Sequence, residues 1–291
     1  MNATRLLELL DRMKTVRALV AGDSIIDHYV FGRSTRICPE APVPVFVPER
    51  EESRHGGALN VKNQLDALCQ PAWQWVSSVP SRKTRLMVGS HLVLRIDEDR
   101  LMTPNEAAVA DIEARLDEAN EKDDLDVILL SDYAKGWLGG QTCQYLINAA
   151  RVLEIPVVVD PKGINWAKYA GASVICPNEA EWNAVNAQAP AGSVIISKHG
   201  DKGLVLFKNE GSETTDHVFP ATARHVADVT GAGDTVVAVV AAVLGAGGTY
   251  EEACVLANLA AGHVVGEVGT AICTAERLRE LVSEHFPRII H

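Results

Sequence analysis

The residues best suited to chemistry form one short run, from Asp228 through Val-Thr-Gly-Ala-Gly to Asp234. An uncharged run over 235–250 follows it and is typical of a buried helix, so the glycines fall at the N-terminus of that helix. Free backbone N–H groups and the positive end of the helix dipole make such a terminus an anion site. Asp234 could cap the helix, or it could act as a base toward a hydroxyl group that meets the anion. The second interpretation predicts transfer of a phosphoryl group to an alcohol.

The elements that must position these groups alternate along the chain. Short runs rich in β-branched residues and nearly free of charge are typical of parallel strands covered on both faces, and they occur at 17–22, 127–130, 156–160, 173–176 and 194–197. Helix-like runs occur at 58–69, 104–121, 138–153 and 179–185. Beyond Asp234 the pattern is helical almost throughout, with Thr249 and Thr274 as candidate N-caps. This layout predicts a doubly wound α/β sheet.

Polar side chains follow the predicted strands one after another. In an open α/β sheet the carboxyl ends of the strands form the ligand-binding edge, so residues just beyond them converge. One polar turn is commonplace, but polar turns after four successive strands predict a single lined crevice. The residues are Asp23 and Asp27, then Asp132 and Lys135, then Asp160 and Lys162, and finally Asn178 and Glu181.

Two segments break the alternation of strands and helices. Residues 39–48 hold four prolines among valines, which suits an edge or lid strand better than a central one. Residues 84–97 alternate loosely as a hairpin, with Gly89 and Ser90 near the turn. We therefore expect one domain over 1–291 with a small β-lid at about 36–50 and 83–97, shared between two subunits.

Bulk composition argues against several classes of partner. The net charge is −11 and no run is rich in lysine or arginine, which weighs against nucleic acid and anionic membrane surfaces. The six cysteines are scattered without a C-x-x-C pair, as in a reducing compartment. Glu8 and Asp11 interrupt the leucines near the N-terminus, unlike a signal peptide, and the uncharged run is too short to span a bilayer. We expect a soluble, cytoplasmic protein.

Several motifs carry a resemblance to a known family. GDSIIDHY at 22–29, a GG-x-x-N turn at 56–60, N-x-x-E at 178–181 and DVTGAGDT at 228–235 resemble the ribokinase-like sugar kinases, also called the phosphofructokinase B group. The resemblance is closer to one branch, the D-glycero-β-D-manno-heptose-7-phosphate kinases. Its motifs are RICPEAPVPVF at 36–46, KTRLMVGSHLVLRID at 83–97, LSDYAKGWL at 130–138, VVVDPKG at 157–163 and GAGDTVVAVVAAVLGAG at 231–247.

The resemblance implies a ribokinase-like α/β fold, ATP and Mg²⁺ as cofactors, and roles for matching residues. Asp234 would take the proton of the acceptor hydroxyl, and the N–H groups of Gly231, Ala232 and Gly233 would hold the transferred phosphoryl group. On the nucleotide side, Asn178 and Glu181 would organise Mg²⁺ through water together with the ATP phosphates. Ser197 and Gly200 would contact the nucleotide, and Asn258 would lie near the adenine.

The same resemblance implies an acceptor site and a second cation. Residues implied at the acceptor are Asp27, Gly56, Gly57, Asn60 and Asp160, with Lys135 and Lys162 either binding the sugar's phosphate or lying solvated in loops. Asp228 and Thr230 would lend oxygens to a monovalent cation such as K⁺. The partners implied are ATP, a sugar or sugar phosphate, and a second copy of the chain through the lid.

The chain also departs from the family pattern. After the predicted helix at 58–69, residues 73–80 pass almost directly to the hairpin, so roughly one strand–helix unit is missing on the acceptor side. Three hypotheses therefore stay open. The chain phosphorylates heptose 7-phosphate at O1, or another sugar, sugar phosphate or nucleoside, or it is a non-catalytic sugar- or nucleotide-binding relative.

Overall fold

The computed structural model describes residues 2–210, 213–223, 225–267 and 271–286, and its centre is an eight-stranded sheet. The strands are β1 (Ala18–Gly22), β4 (Trp73–Val76), β7 (Val127–Ser131), β8 (Val157–Asp160), β9 (Val174–Ile175), β10 (Val194–Lys198), β11 (Leu204–Glu210) and β12 (Glu213–Phe219). Their spatial order is β12-β11-β10-β9-β8-β7-β1-β4. The strands from β4 to β10 pair in parallel, and β11 and β12 add an antiparallel edge.

Helices cover both faces of this sheet, which explains why its central strands are apolar throughout. One core contains side chains of α1 (Ala3–Met13), α2 (Ala58–Asp66), α6 (Ala232–Gly245), α7 (Tyr250–Val264) and α8 (Ala275–His285). The other contains side chains of α3 (Glu106–Lys122), α4 (Gly140–Val152) and α5 (Glu179–Ala184). The predicted α/β class is confirmed, and the predicted parallel strands and helices lie within a few residues of the observed ones. No described helix has the length and apolar character needed to cross a membrane.

The uncharged run after Asp234 is not one helix over 235–250. Helix α6 begins at Ala232, ends at Gly245 and is buried on nearly all sides, as expected for a helix that is apolar all round. Gly247 adopts a φ of +72°, which turns the chain into α7. The predicted caps are confirmed, because Thr249 accepts a hydrogen bond from the Glu252 N–H and Thr274 accepts one from the Arg277 N–H.

A second sheet of four strands forms the lid. Its strands are β2 (Ser24–Arg33), β3 (Val47–Gly57), β5 (Ser81–Val88) and β6 (His91–Glu98), in the order β3-β2-β5-β6. The predicted hairpin is confirmed, because β5 and β6 pair antiparallel around a turn at Gly89 and Ser90.

Two expectations about the lid were wrong. Residues 39–46 form no strand, only bends and an isolated bridge between Ile37 and Pro44, because Pro39, Pro42 and Pro44 lack the N–H groups that pairing needs. Strand β3 starts at Val47 and tolerates Pro48 because it is an edge strand. Asp27 does not lie in a turn after β1. The chain leaves β1 through Asp23 alone, so Asp27 lies within the lid strand β2. The sequence of β2 did not predict a strand, because its polar and apolar residues neither alternate regularly nor form one continuous apolar run.

The lid joins the large sheet through two adjacent connections. Four residues, 77–80, link β4 to β5, so no helix intervenes there. The Ser24 N–H donates to Ser77 Oγ at 2.9 Å, and Ser24 Oγ donates to the Ser77 carbonyl at 2.7 Å, so both connections are tied together in a buried position. Gly57 forms the third connection, from β3 into α2, with a φ of +59°.

Gly57→Ala should lower the free energy of unfolding by about 1–3 kcal/mol, because an L-residue is strained in this backbone region. A Cβ atom at Gly57 would also lie 2.6 Å from the Asp23 carbonyl oxygen. Urea unfolding measures the change. Gly140→Ala is the matched control, since no heavy atom lies within 4 Å of its added Cβ and it starts helix α4. Equal stability of the two variants would contradict the assigned strain.

Candidate active site

Asp234 lies in the first turn of α6, at the edge formed by the carboxyl ends of the parallel strands. Two side chains donate hydrogen bonds to its carboxylate. Asn60 Nδ2 from α2 donates to Oδ2 at 2.5 Å, and the Tyr133 hydroxyl from the loop after β7 donates to Oδ1 at 3.0 Å. The predicted base and the predicted Asn60 are therefore brought into direct contact. Tyr133 was missed, although it stands within the SDYAKG motif.

The surroundings of Asp234 change its acidity. Burial raises the pKa of this carboxyl to about 6, and the nearby Asp160 adds to the rise, whereas the hydrogen bonds from Asn60 and Tyr133 oppose it. Burial and Asp234 together raise the pKa of the Tyr133 phenol well above its usual range, so this hydroxyl stays protonated and donates. A carboxylate with a pKa near 6 is ionised at neutral pH and is more basic than an ordinary aspartate.

The glycines predicted to bind an anion lie at the start of α6. Gly231 is the N-cap with a φ of +83°, and the following residues present the first backbone N–H groups of the helix. The Ala232 N–H donates to the Val229 carbonyl at 3.3 Å, a long bond that closes the turn. A Cβ atom at Gly233 would lie 3.7 Å from Lys198 Nζ, so an ammonium group stands beside the helix terminus.

Lys198 is a second residue that the sequence reasoning missed. It ends β10, directly after the predicted Ser197, and its Nζ donates to Asp160 Oδ1 at 2.6 Å at the end of β8. Both side chains are largely buried, and burial raises the pKa of Asp160 despite this lysine. Asp160 is therefore a partner of Lys198 and an electrostatic neighbour of Asp234. A lysine at the carboxyl end of a predicted strand was the available signal.

Asp23 organises the loop that carries Tyr133. Its side chain is fully buried and accepts backbone N–H groups from Tyr133 at 2.8 Å, Lys135 at 3.2 Å and Trp137 at 3.1 Å. Burial raises the pKa of Asp23, and the three N–H groups oppose that rise. Asp132, which directly precedes Tyr133, is also buried and pairs with Lys168 and with the Tyr169 hydroxyl, which fixes the same loop from its other side.

A mostly apolar cavity of about 420 Å³ opens beside the start of α6. Several predicted nucleotide residues line it together with the anion site, namely Asn178, Gly200, Asn258, Ala232 and Gly233. Asn258 Nδ2 donates to the Pro220 carbonyl at 2.5 Å, so this side chain fixes the cavity wall. Ser197 is fully buried, and its Oγ atom has no hydrogen-bond partner among the described residues.

Asn178 and Glu181 form a capping box at the start of α5. Asn178 Oδ1 accepts the Glu181 N–H at 2.8 Å, and the Asn178 N–H donates to Glu181 Oε2 at 3.0 Å. The other carboxylate oxygen of Glu181 accepts a hydrogen bond from Lys162 Nζ at 2.7 Å. The predicted metal residues therefore also have a structural task, and Lys162 points to a carboxylate.

Of the remaining residues predicted to bind the acceptor, Asp27, Gly56 and Gly57 lie on lid strands, and Lys135 lies in the loop after β7. Gly56 packs so closely on Asp27 that a Cβ would lie 2.2 Å from Asp27 Oδ2, and Asp27 Oδ1 accepts a hydrogen bond from Arg85. Lys135 Nζ pairs with Asp99 Oδ2 at 2.6 Å.

The two residues predicted to bind a monovalent cation are in contact with each other, because the Thr230 N–H donates to Asp228 Oδ1 at 2.9 Å. The roles of these residues in binding stay predictions.

Comparison with known proteins relates this chain to carbohydrate kinases. A family model described as pfkB family carbohydrate kinase matches residues 89–277. Two curated relatives, each named Bifunctional protein HldE, come from Syntrophotalea carbinolica and Pseudomonas paraeruginosa. The first is 35% identical over 98% of this chain and 66% of its own length, and the second is 37% identical over 94% and 65%. This chain thus spans less than two thirds of the length of these relatives.

Solved structures show the same fold. Ribokinase from Arabidopsis thaliana, complexed with ribose and ATP, superposes with a TM-score of 0.65 at 17% identity, over 92% of this chain and 99% of that one. Phosphofructokinase-2 from Escherichia coli, in complex with potassium, gives 0.66 at 15% identity, over 94% and 100%. At these identities the likeness concerns the fold alone.

The Asp234 carboxyl should titrate with a midpoint near pH 6, being protonated below that pH and ionised above it. Tyr133→Phe removes a donor to the ionised form, so the midpoint should move to higher pH. Carbon-13 NMR of the labelled carboxyl measures both values. Tyr145→Phe, on the exposed side of α4, is the control and should leave the midpoint unchanged. A wild-type midpoint near 4 would contradict the described environment.

Proposed function

The chain belongs to the pfkB family of carbohydrate kinases, and on that premise we propose that it phosphorylates D-glycero-β-D-manno-heptose 7-phosphate at O1 with ATP. The observation that carries the chemistry is the Asp234 carboxylate, held by Asn60 and Tyr133 at the N-terminus of α6. The choice of acceptor is supported by the branch motifs at 36–46, 83–97, 130–138 and 157–163, and by relatives of 35–37% identity that carry the HldE name.

In the proposed reaction, the acceptor hydroxyl lies between Asp234 and the γ-phosphate of ATP. The hydroxyl oxygen forms the new bond to phosphorus while the bond to the ADP oxygen breaks, and Asp234 receives the proton. Because the transition state of phosphoryl transfer is loose, the carboxylate mainly orients the hydroxyl and accepts its proton late. A raised pKa suits this task, since the base is ionised at neutral pH and still basic enough to keep the proton.

Backbone N–H groups and one lysine would stabilise the negative charge on the transferred phosphoryl group. The N–H groups of Gly231, Ala232 and Gly233 face it at the helix terminus, and Lys198 Nζ stands beside Gly233. The Ala232 N–H would exchange its long bond to Val229 for a phosphoryl oxygen. Removing one such donor typically slows a reaction of this kind about 10²–10³-fold.

The nucleotide would occupy the 420 Å³ cavity, with its base among the apolar side chains near Asn258 and its phosphates toward Gly233. Asn178 and Glu181 would hold Mg²⁺ through water, since Glu181 offers a carboxylate and Asn178 an amide oxygen at the start of α5. When bound through water, Mg²⁺ would neutralise charge on the ATP phosphates. Asp228 and Thr230 remain the proposed site for K⁺. An ATP requirement favours work in the cytoplasm.

Release of ADP should be fastest with heptose 7-phosphate in a panel that also holds ribose, fructose phosphates and adenosine. Faster turnover of another panel member would replace the proposed acceptor and leave the kinase assignment intact. Calorimetric binding of sugars or ATP without any ADP release would instead favour a non-catalytic relative.

Asp234→Asn should lower kcat by about 10²–10⁴-fold, because it removes the proton acceptor and keeps the side chain's shape. Calorimetry should show that ATP still binds. Asp111→Asn, an exposed aspartate on α3, is the matched control and should keep wild-type turnover. Turnover of Asp234→Asn close to that of the control would refute the assignment of the base.

We also propose that two chains associate through the lid. Strand β6 is an edge of the four-stranded sheet, so its outer backbone groups can pair with another strand. It exposes Leu92, Leu94 and Ile96, with 54%, 52% and 46% of their surface accessible. Apolar side chains clustered on an open edge are typical of an interface.

Light scattering should give the mass of a dimer for the wild-type chain and of a monomer for Leu94→Glu combined with Ile96→Glu, since buried carboxylates oppose association. Val152→Glu, at a residue 73% exposed on α4, is the control and should stay dimeric. A wild-type monomer at working concentration would count against the lid interface.

A further inference from the structure

Lys83 places a positive charge close to Asp234 and has no ion-pair partner in the part of the chain that the structure describes. This lysine lies on lid strand β5 and is partly buried. Its Nζ atom lies 5.4 Å from the centroid of the Tyr133 ring, and the hydroxyl of that ring donates to Asp234. The Lys83 ammonium is therefore separated from the base by a single aromatic side chain.

The carboxylates nearest to Lys83 in the lid sheet form hydrogen bonds with arginines instead of with Lys83. Asp27 on β2 and Asp97 on β6 lie directly across from Lys83 in the strand register, so all three share one face of the lid. Asp27 accepts a hydrogen bond from Arg85, and Asp97 accepts one from Arg95 at 2.9 Å. Within the described part of the chain, no carboxylate comes within 4.0 Å of Lys83 Nζ. Burial lowers the pKa of this ammonium, and the charges of Asp27 and Asp97 oppose that fall without cancelling it.

We propose that Lys83 binds the phosphate that the acceptor sugar already carries, a specificity contact that rests on the proposed kinase function. A partly buried ammonium without a counter-ion is suited to an anionic ligand group. The lid contributes no residue to the wall of the nucleotide cavity, so Lys83 stands on the acceptor side of Asp234. By contrast, Lys135 and Lys162, which the sequence singled out for this phosphate, already pair with Asp99 and Glu181.

The test compares phosphorylated and unphosphorylated forms of one sugar. Lys83→Met should raise the KM for heptose 7-phosphate about 10- to 100-fold, the usual loss for a charge-assisted hydrogen bond. The KM for unphosphorylated heptose and the KM for ATP should both stay within about twofold of the wild-type values, and Lys83→Arg should restore most of the loss. Arg82→Ala is the matched control, because Arg82 is the exposed neighbour on the opposite face of β5.

Each outcome separates this inference from the proposed function. An equal rise in KM for both sugar forms would overturn the phosphate contact and leave the kinase assignment standing. A rise in the KM for ATP alone would also overturn it, since Lys83 would then serve the nucleotide. If the wild-type chain transfers phosphate to no sugar, the proposed function fails. Calorimetric binding of heptose 7-phosphate to wild type and to Lys83→Met would then decide the lysine's role by itself.

Discussion

The site depends on one buried carboxylate that never needs to touch a ligand. Asp23 directly follows β1, and its carboxylate accepts hydrogen bonds from three backbone N–H groups of the loop after β7. Its carbonyl oxygen accepts the N–H of Ala58 at the start of α2. Because a buried carboxylate is costly unless such donors surround it, these segments are held in one relative position. The loop carries Tyr133 and the helix carries Asn60, and these are the two side chains that hold Asp234.

Electrostatic balance at the strand ends follows from that arrangement. Asp160 and Asp234 lie close enough for the first to raise the pKa of the second, and the buried Lys198 pairs with Asp160 beside Gly233. Carboxylates crowded in this way tend to protonate unless cations or donors offset their repulsion. Lys198 offsets it beside Gly233, whereas Tyr133 and Asn60 offset it through hydrogen bonds to Asp234. With a pKa of about 6, the Asp234 carboxyl is more basic than an ordinary aspartate and is still ionised at neutral pH.

The lid shows where local reasoning failed. Residues 39–48 carry apolar residues at a suitable density for a strand, but their prolines remove the donors that pairing requires, and β3 begins only at Val47. Strand β2 escaped prediction because its stability comes from two neighbours, β3 and β5, which lie far away in sequence. Strand formation in a mixed lid depends on such partners more than on intrinsic preference.

The sequence by itself determined the alternating α/β architecture, the glycine-rich start of α6 and the place of Asp234 in its first turn. Apolar periodicity, glycine conformation and helix capping are local properties, so they can be deduced from neighbouring residues. Only the tertiary structure decided that Tyr133 and Asn60 hold the Asp234 carboxylate, that Lys198 stands beside Gly233, and that no carboxylate among the described residues pairs with Lys83. Such contacts join residues that are far apart in the sequence. Which groups come within hydrogen-bond or ion-pair distance depends on how the strands and loops pack, and local sequence patterns do not show that.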